Sequence, residues 1–245
     1  MSRFITVNDC INRVAVEVGL TAVSDVFATN DTSFTRLQYL LTTAVQDLMI
    51  EYPWQILTRG FQHTTGPSES GDLTLPDDFG YMIPQTGWER SENVPLIGPL
   101  SAQDWTYLLG RDLVGSTIYA SFRFDQNELR IFPNDPMPEG LDINFEYISR
   151  NLIQVAATDP VTYTDEAKAA ADIILFPPLL ITRLLKCMML EATGFDSTRA
   201  RADYEKAFSS WSAKDNSSAI LSAGSNRAGF PYLNGYNVPT TNYGV

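Results

Sequence analysis

Along the chain, the spacing of apolar positions changes period twice. The stretch "TVNDCINRVAVEVGL" repeats Val7, Cys10, Ile11, Val14 and Val18 at helical spacing, which predicts one face of a helix. Thr6 and Asp9 form a capping-box pattern at its start, and Gly19 supplies a stop. After a polar loop, Asn30 or Asp31 caps a longer helix with Phe34, Leu37, Leu41, Ala44, Val45 and Leu48 on one side. That helix ends at "EYPW", because Pro53 pushes Tyr52 out of helical geometry.

From Gln55 the period shortens to two. "ILTRGFQHTT" predicts a strand broken at its glycine, and "DLTLPDDFGYMIPQTGW" predicts strand, turn, strand. Ser101 and Asp104 cap a short helix carrying Trp105, Leu108 and Leu109. "IYASFRFDQNELRIFP" predicts a hairpin around Asp125, Gln126 and Asn127, and "GLDINFEYIS" a strand with Leu141, Ile143, Phe145 and Tyr147 alternating against polar positions. Beyond Asn151 helical spacing returns. Thr164 can cap a helix over "DEAKAAADIIL". Pro177 and Pro178 suit the first turn of the next helix, which carries Leu180, Ile181, Leu184, Leu185, Met188 and Met189 and stops at Gly194. The last helix holds Ala200, Tyr204, Ala207, Phe208 and Trp211 on one face.

Helices, then antiparallel strands, then helices predict an α+β fold. The expected architecture is a helical bundle from the N- and C-terminal helices, with an inserted antiparallel β lobe and an extended C-terminal arm. In residue numbers, this is a helical core domain over 1–54 and 152–215, a β lobe over 55–151, and an arm over 216–245. The arm, "NSSAILSAGSNRAGFPYLNGYNVPTTNYGV", has one charged side chain, Arg227. Gly224, Gly229, Pro231, Gly235 and Pro239 interrupt every helical run in it. It also carries more aromatic residues than a typical disordered tail.

Composition then narrows the function. Hydrophobic residues make up 44% of the 245, enough for a real core. The longest apolar run, "IILFPPLLI", is too short for a membrane helix and is interrupted by two prolines. The opening residues carry no apolar leader, so a cytosolic product is expected. Cys10 and Cys187 fall on apolar helix faces and read as buried free thiols. A net charge of −12 without any basic run argues against stable nucleic-acid binding.

Candidate chemistry is sparse. The only histidine, His63, lies in a polar strand-like stretch and reads as an exposed side chain without a role. Phosphate-loop, nucleophile-elbow and zinc-binding motifs are missing from the sequence. Asp77 and Asp78 are adjacent, so they suit a turn better than a pair of cooperating carboxylates. Arg183 and Lys186 read as a solvated helix edge, and Met188 and Met189 as core filling. No catalytic residue, metal or cofactor is expected, and the chain reads as a non-enzyme. The alternative is a hydrolase with two carboxylates across a cleft, which sequence alone cannot pair.

Several stretches, in order, resemble the head-to-tail adaptor family of short-tailed phages, the tail tubular protein A and packaged-DNA-stabilisation proteins. They are "TVNDCINRVAVEVGL", "RLQYLLTTAVQDLMIEYPWQI", "LTLPDDFGYMI", "NELRIFPNDPMPEGLDINFEYISR" and "LLKCMMLEATGFDSTRARADYEKAF", covering most of residues 5–215. The resemblance implies a structural virion protein in the neck, assembled in the host cytoplasm. It implies a homo-oligomeric ring, usually of twelve copies, between the portal protein and the tail nozzle or tail tube. Packaged DNA passes through without specific binding and is helped to stay inside. No cofactor and no membrane come with that role. Its alternative is a virion-associated cell-wall hydrolase, or a connector with such a side activity. An acidic conduit fits, because clustered Lys and Arg would hold DNA back by counterion release.

The arm then acquires a reading. Ordering about 20 residues costs roughly 20–40 kcal/mol, whereas burying each large apolar side chain stabilises by only about 1.5–3 kcal/mol. Phe230, Tyr232, Leu233, Tyr236, Val238 and Tyr243 are therefore expected to dock on a neighbouring subunit or the portal, where backbone hydrogen bonds supply the rest.

Overall fold

The computed structural model describes residues 3–91, 93–110, 121–132, 137–156, 158 and 160–215. In chain order its elements are β1 (Ile5–Thr6), α1 (Val7–Glu17), α2 (Thr32–Glu51), β2 (Thr58–Thr64), β3 (Asp72–Thr74), β4 (Phe79–Met82), β5 (Trp88–Glu89), β6 (Val94–Pro95), α3 (Ala102–Gly110), β7 (Ser121–Asp125), β8 (Glu128–Phe132), β9 (Asp142–Ser149), β10 (Ile153–Gln154), β11 (Tyr163–Thr164), β12 (Ile173–Ile174), α4 (Pro178–Thr193) and α5 (Thr198–Asp215). The fold is mixed α+β with antiparallel sheets.

The helix ends follow their caps. Thr6 Oγ1 accepts from Asp9 N–H, and Asp31 accepts from Ser33 N–H. These bonds satisfy first-turn amides that have no helical partner. The buried face of α2 is the expected set from Phe34 to Leu48, and Tyr52 leaves the helix extended. Pro177 precedes the first turn of α4, and Gly194 closes it at φ 76, a left-handed geometry that glycine adopts without a Cβ clash.

Buried side chains form two clusters. One joins α1, α2, α4 and Ala207 of α5 with Trp54, Leu57, Ile148, Ile153, Ile174 and Phe176. Val18 and Phe208, on expected core faces, are only partly buried at its margin. The other cluster gathers Leu73, Leu75, Leu96, Phe122, Leu129, Ile131, Met137 and the β9 residues Ile143, Phe145 and Tyr147. Strand alternation assigns these β9 residues to one face, and the adjacent Ile148 turns into the first cluster.

Three sheets organise the strands. β2 pairs with β9 in continuous register, Thr58 opposite Ile148 through Thr64 opposite Asp142. β9 changes partner on its other side, meeting β5 at Ile143 and Asn144 and β4 from Tyr147 to Ser149. A second sheet runs β3-β8-β7, and a third runs β1-β12-β10-β11 within the helical part of the chain. β3 and β4, adjacent in sequence, thus belong to different sheets. The expected break at Gly60 is absent, because a paired strand accommodates glycine without a bend.

The helix expected from Asp165 does not form. Thr164 is a strand residue whose hydroxyl donates to Glu166 O. The buried Asp172 carboxylate instead accepts from the N–H groups of Ala156, Lys168 and Ala169, at 3.2, 2.9 and 2.8 Å. The loop's carbonyls serve α1, with Val7 N–H donating to Asp172 O and Asn8 N–H to Ala170 O. Local helix propensity lost to a buried acceptor and to β12 pairing with β1 and β10. Of the apolar face expected on α3, only Trp105 is buried, against Phe132, while Leu109 is exposed.

Candidate interaction site

The sequence-derived site residues Phe230, Tyr232, Leu233, Tyr236, Val238 and Tyr243 lie outside the described residues, as does the whole arm over 216–245. The structure does describe the arm's root. α5 ends at Asp215, whose carboxylate accepts from Gln55 N–H at 2.8 Å, while Gln55 Nε2 donates to Asp215 O at 2.6 Å. These two bonds link positions 160 residues apart. They bring the end of α5 to the turn between α2 and β2.

Around the root the surface is aromatic. Trp54 lies beneath it, in edge contact with Tyr52, Phe176 and Phe208. A cavity of about 120 Å³ opens there, lined by Phe4, Trp54, Ile56, Pro177, Trp211 and Lys214 among others. Lys214 sits over the Trp211 ring, and Arg3 over Phe4. Both cations lie over ring faces, a cation–π arrangement.

The other chemistry-bearing groups are held by structural partners. His63 Nε2 is 2.8 Å from Glu69 Oε1, and Glu69 Oε2 accepts from Gly66 N–H at 2.6 Å. His63 is therefore not the isolated exposed side chain the sequence suggested, because the loop after β2 folds back onto it. The Gly66 N–H holds the Glu69 carboxyl below its usual range against the opposing effect of burial, and His63 adds to the lowering. Asp77 and Asp78 do form a turn, and Asp78 has a use the sequence did not reveal. Its carboxylate accepts from Tyr147 OH at 2.9 Å and Ser149 OH at 2.7 Å, and its carbonyl accepts from Arg150 N–H. Burial and the Asp78 carboxylate push the Tyr147 phenol up to about 12. Only the alternation of residues 147 and 149 onto one side of β9 could have hinted at this latch.

Both cysteines are free and buried, and desolvation pushes the Cys10 thiol up to about 12. A raised pKa disfavours the thiolate that nucleophilic or metal-binding chemistry needs. Lys186 pairs with Glu17, and Arg183 donates to Asp203 O. Met189 is buried and Met188 partly so. Among the described residues, no three of His, Cys, Asp and Glu converge as metal ligands would, and no helix is long and apolar enough to cross a membrane. A larger apolar cavity, about 450 Å³, lies between β4 and β7, lined by Phe79, Tyr81, Met82, Pro99, Phe122 and Phe124. Compared with known proteins, the chain matches no protein-family model and no curated protein.

Proposed function

We propose that the protein is a structural subunit of a phage head-to-tail adaptor ring, joining the portal to the tail nozzle or tube and acting without catalysis. The observation that carries this reading is the ordered set of adaptor-like stretches along residues 5–215. Two of them, "LTLPDDFGYMI" and "NELRIFPNDPMPEGLDINFEYISR", meet in space through Asp78, Tyr147 and Ser149. Motifs far apart in sequence gain weight when one carboxylate joins them. The separate buried clusters support a further division, with 1–54 and 152–215 as a helical core domain and 55–151 as an inserted β lobe. Ile148, Trp54 and Leu57 are the seam between the two.

In this role the arm attaches the ring. Its aromatics dock on a neighbouring copy or on the portal, and a ring repeats the contact so that weak single contacts add as avidity. The arm starts from a fixed point, since Gln55 and Asp215 hold its root against the body. The test is to mix the purified protein with its portal and image the product by electron microscopy. We expect a ring seated on the portal, and a chain lacking residues 222–245 that remains folded but does not attach. Attachment of the shortened chain at unchanged affinity would overturn the role given to the arm, and monomers that ignore the portal would overturn the adaptor reading.

A further inference from the structure

The cavity between β4 and β7 lies where two sheets meet, since β4 pairs with β9 in one and β7 with β8 in the other. Its volume of about 450 Å³ falls within the range of small-molecule sites, roughly 300–1,000 Å³. Phe122 is the most buried of the described lining residues, at 1% exposure. Phe79, Tyr81, Met82 and Phe124 are partly buried around it, and Pro84, Gln85 and Pro99 stand exposed at the mouth. The Phe124 ring centroid is 5.5 Å from those of Phe79 and Phe122.

Both walls are set by close backbone approach. A Cβ on Gly98 would fall 2.5 Å from Phe122 O and 2.9 Å from the Phe122 ring, and a Cβ on Gly80 would fall 2.6 Å from Ile148 O. Phe122 N–H donates to Ile97 O and Leu100 N–H to Phe122 O, which holds this segment against β7. The walls are thus formed before any ligand arrives, and a preformed site loses little binding energy to ordering.

The lining chemistry selects the ligand. The described lining residues carry no charge, so a charged group would be desolvated there without a partner. Rings line most of the buried part, and aromatic pairs attract beyond the area they bury. Tyr81 contributes its ring, because its hydroxyl donates to Met49 O at 3.1 Å. The polar edge of the site falls to Gln85, whose φ is 63. It occupies the third position of the turn over 83–86, behind Pro84, where glycine or asparagine is usual. Thr86 Oγ1 donates to Ile83 O at 2.7 Å and accepts from Glu146 N–H at 3.1 Å, which pins the turn to β9. Left-handed backbone at a non-glycine residue is found at ligand clamps. Glycine would suit this backbone better, but it would take the amide away from the cavity.

We propose that the cavity binds a small, flat, uncharged aromatic molecule, ring inward against Phe79, Phe122 and Phe124, with a polar edge on the Gln85 amide. This site is separate from the adaptor role, and either can fail without the other.

The test titrates the full chain with indole, following the methionine methyl groups by NMR and the melting temperature. The Met82 methyl should shift to saturation and show a through-space contact with the indole ring, and the melting temperature should rise with indole concentration. Cyclohexanol, polar but not aromatic, should bind roughly three- to ten-fold more weakly. Gln85→Gly relaxes the backbone and so keeps the fold; it should weaken indole roughly five-fold and leave indene, which lacks the N–H, unchanged. N-acetyltryptophanamide, the same ring on a peptide backbone, should bind more weakly than indole. A Met82 methyl that does not respond within the solubility of indole would overturn the proposal. So would equal binding of cyclohexanol, or an indole affinity unchanged in Gln85→Gly. Tighter binding of the tryptophan derivative would overturn the free ligand and assign the cavity to a partner's side chain.

Discussion

Replacing Trp54 tests whether the two ends of the chain share one core. The side chain is 2% exposed and lies between the end of α2, Phe176 ahead of α4, and Phe208 on α5. Its Nε1–H donates to Leu48 O at 2.7 Å. That carbonyl is in the last turn of α2, where Tyr52 has left the helix, so the indole supplies a partner the backbone cannot. Trp54→Phe keeps most of the ring and removes this donor, leaving a buried acceptor unpaired at about 1–3 kcal/mol. Trp54→Ala also opens a cavity, for a total of about 3–5 kcal/mol. Domains of ordinary stability have only about 5–15 kcal/mol to lose, so the alanine variant should unfold at a far lower urea midpoint with unchanged slope. Urea titration followed by circular dichroism measures both. Because the rings touch, Trp54→Ala and Phe208→Ala should fall short of additivity when combined. A Trp54→Ala loss under about 1 kcal/mol, or strict additivity with Phe208→Ala, would refute the shared core.

Three further outcomes follow from the structure. Asp172→Ala strands the three loop amides it accepts from and should cost on the order of 3 kcal/mol; Asp172→Asn, which keeps an acceptor oxygen, should cost clearly less in the same urea titration, and equal losses would contradict the acceptor role. At alkaline pH the protein should weaken, because burial first, then the Asp78 carboxylate, raises Tyr147 to about 12, and burial raises Cys10 to about 12, from 10.0 and 9.0. The folded state thus holds these protons more tightly, so the associated stability is complete below the unfolded values and is lost as pH climbs toward 12; a melting temperature that stays flat between pH 9 and 11.5 would contradict this. Duplex DNA in a gel-shift assay at moderate salt should stay unbound, given a net charge of −12 without any basic run, and tight binding that falls steeply with salt would reveal a basic surface.

Local signals in the sequence located the helices well, and long-range ones were hidden. Thr6, Asp31, Pro177 and Gly194 each act within a turn or two of their own position, so their capping roles could be read directly. The hairpin around Gln126 was legible for the same reason, with Asp125 opposite Glu128. Strand pairing across 80 residues, such as β2 with β9, leaves no local mark beyond alternation. The mistaken helix from Asp165 shows the converse. "EAKAAAD" has high helix propensity, but Asp172 is worth more as a buried acceptor for three amides than as a residue in a helical turn. The latch at Asp78 and the clasp of His63 by Glu69 were equally out of reach, since each needs the loop paths first. The aromatic pattern of 216–245 was legible, but the partner of the last helical residue, Asp215, was not. Gln55 and Asp215 are ordinary polar residues until the fold brings them together.

The way β9 divides its two faces explains why one strand can hold both clusters. Ile143, Phe145 and Tyr147 enter one core, and Ile148, one residue on, enters the other. The partner change from β5 to β4 takes place around Glu146, whose N–H donates to Thr86 Oγ1 as that hydroxyl donates to Ile83 O. A side chain thus bridges the stretch between the two pairings. Immediately beyond, Asp78 ties the β4 turn to Tyr147 and Ser149 at the seam. Two cores that met only through apolar contact could slide past one another. Here they share a continuous backbone ladder with β2, and β2 begins just after the bonds that hold the arm's root.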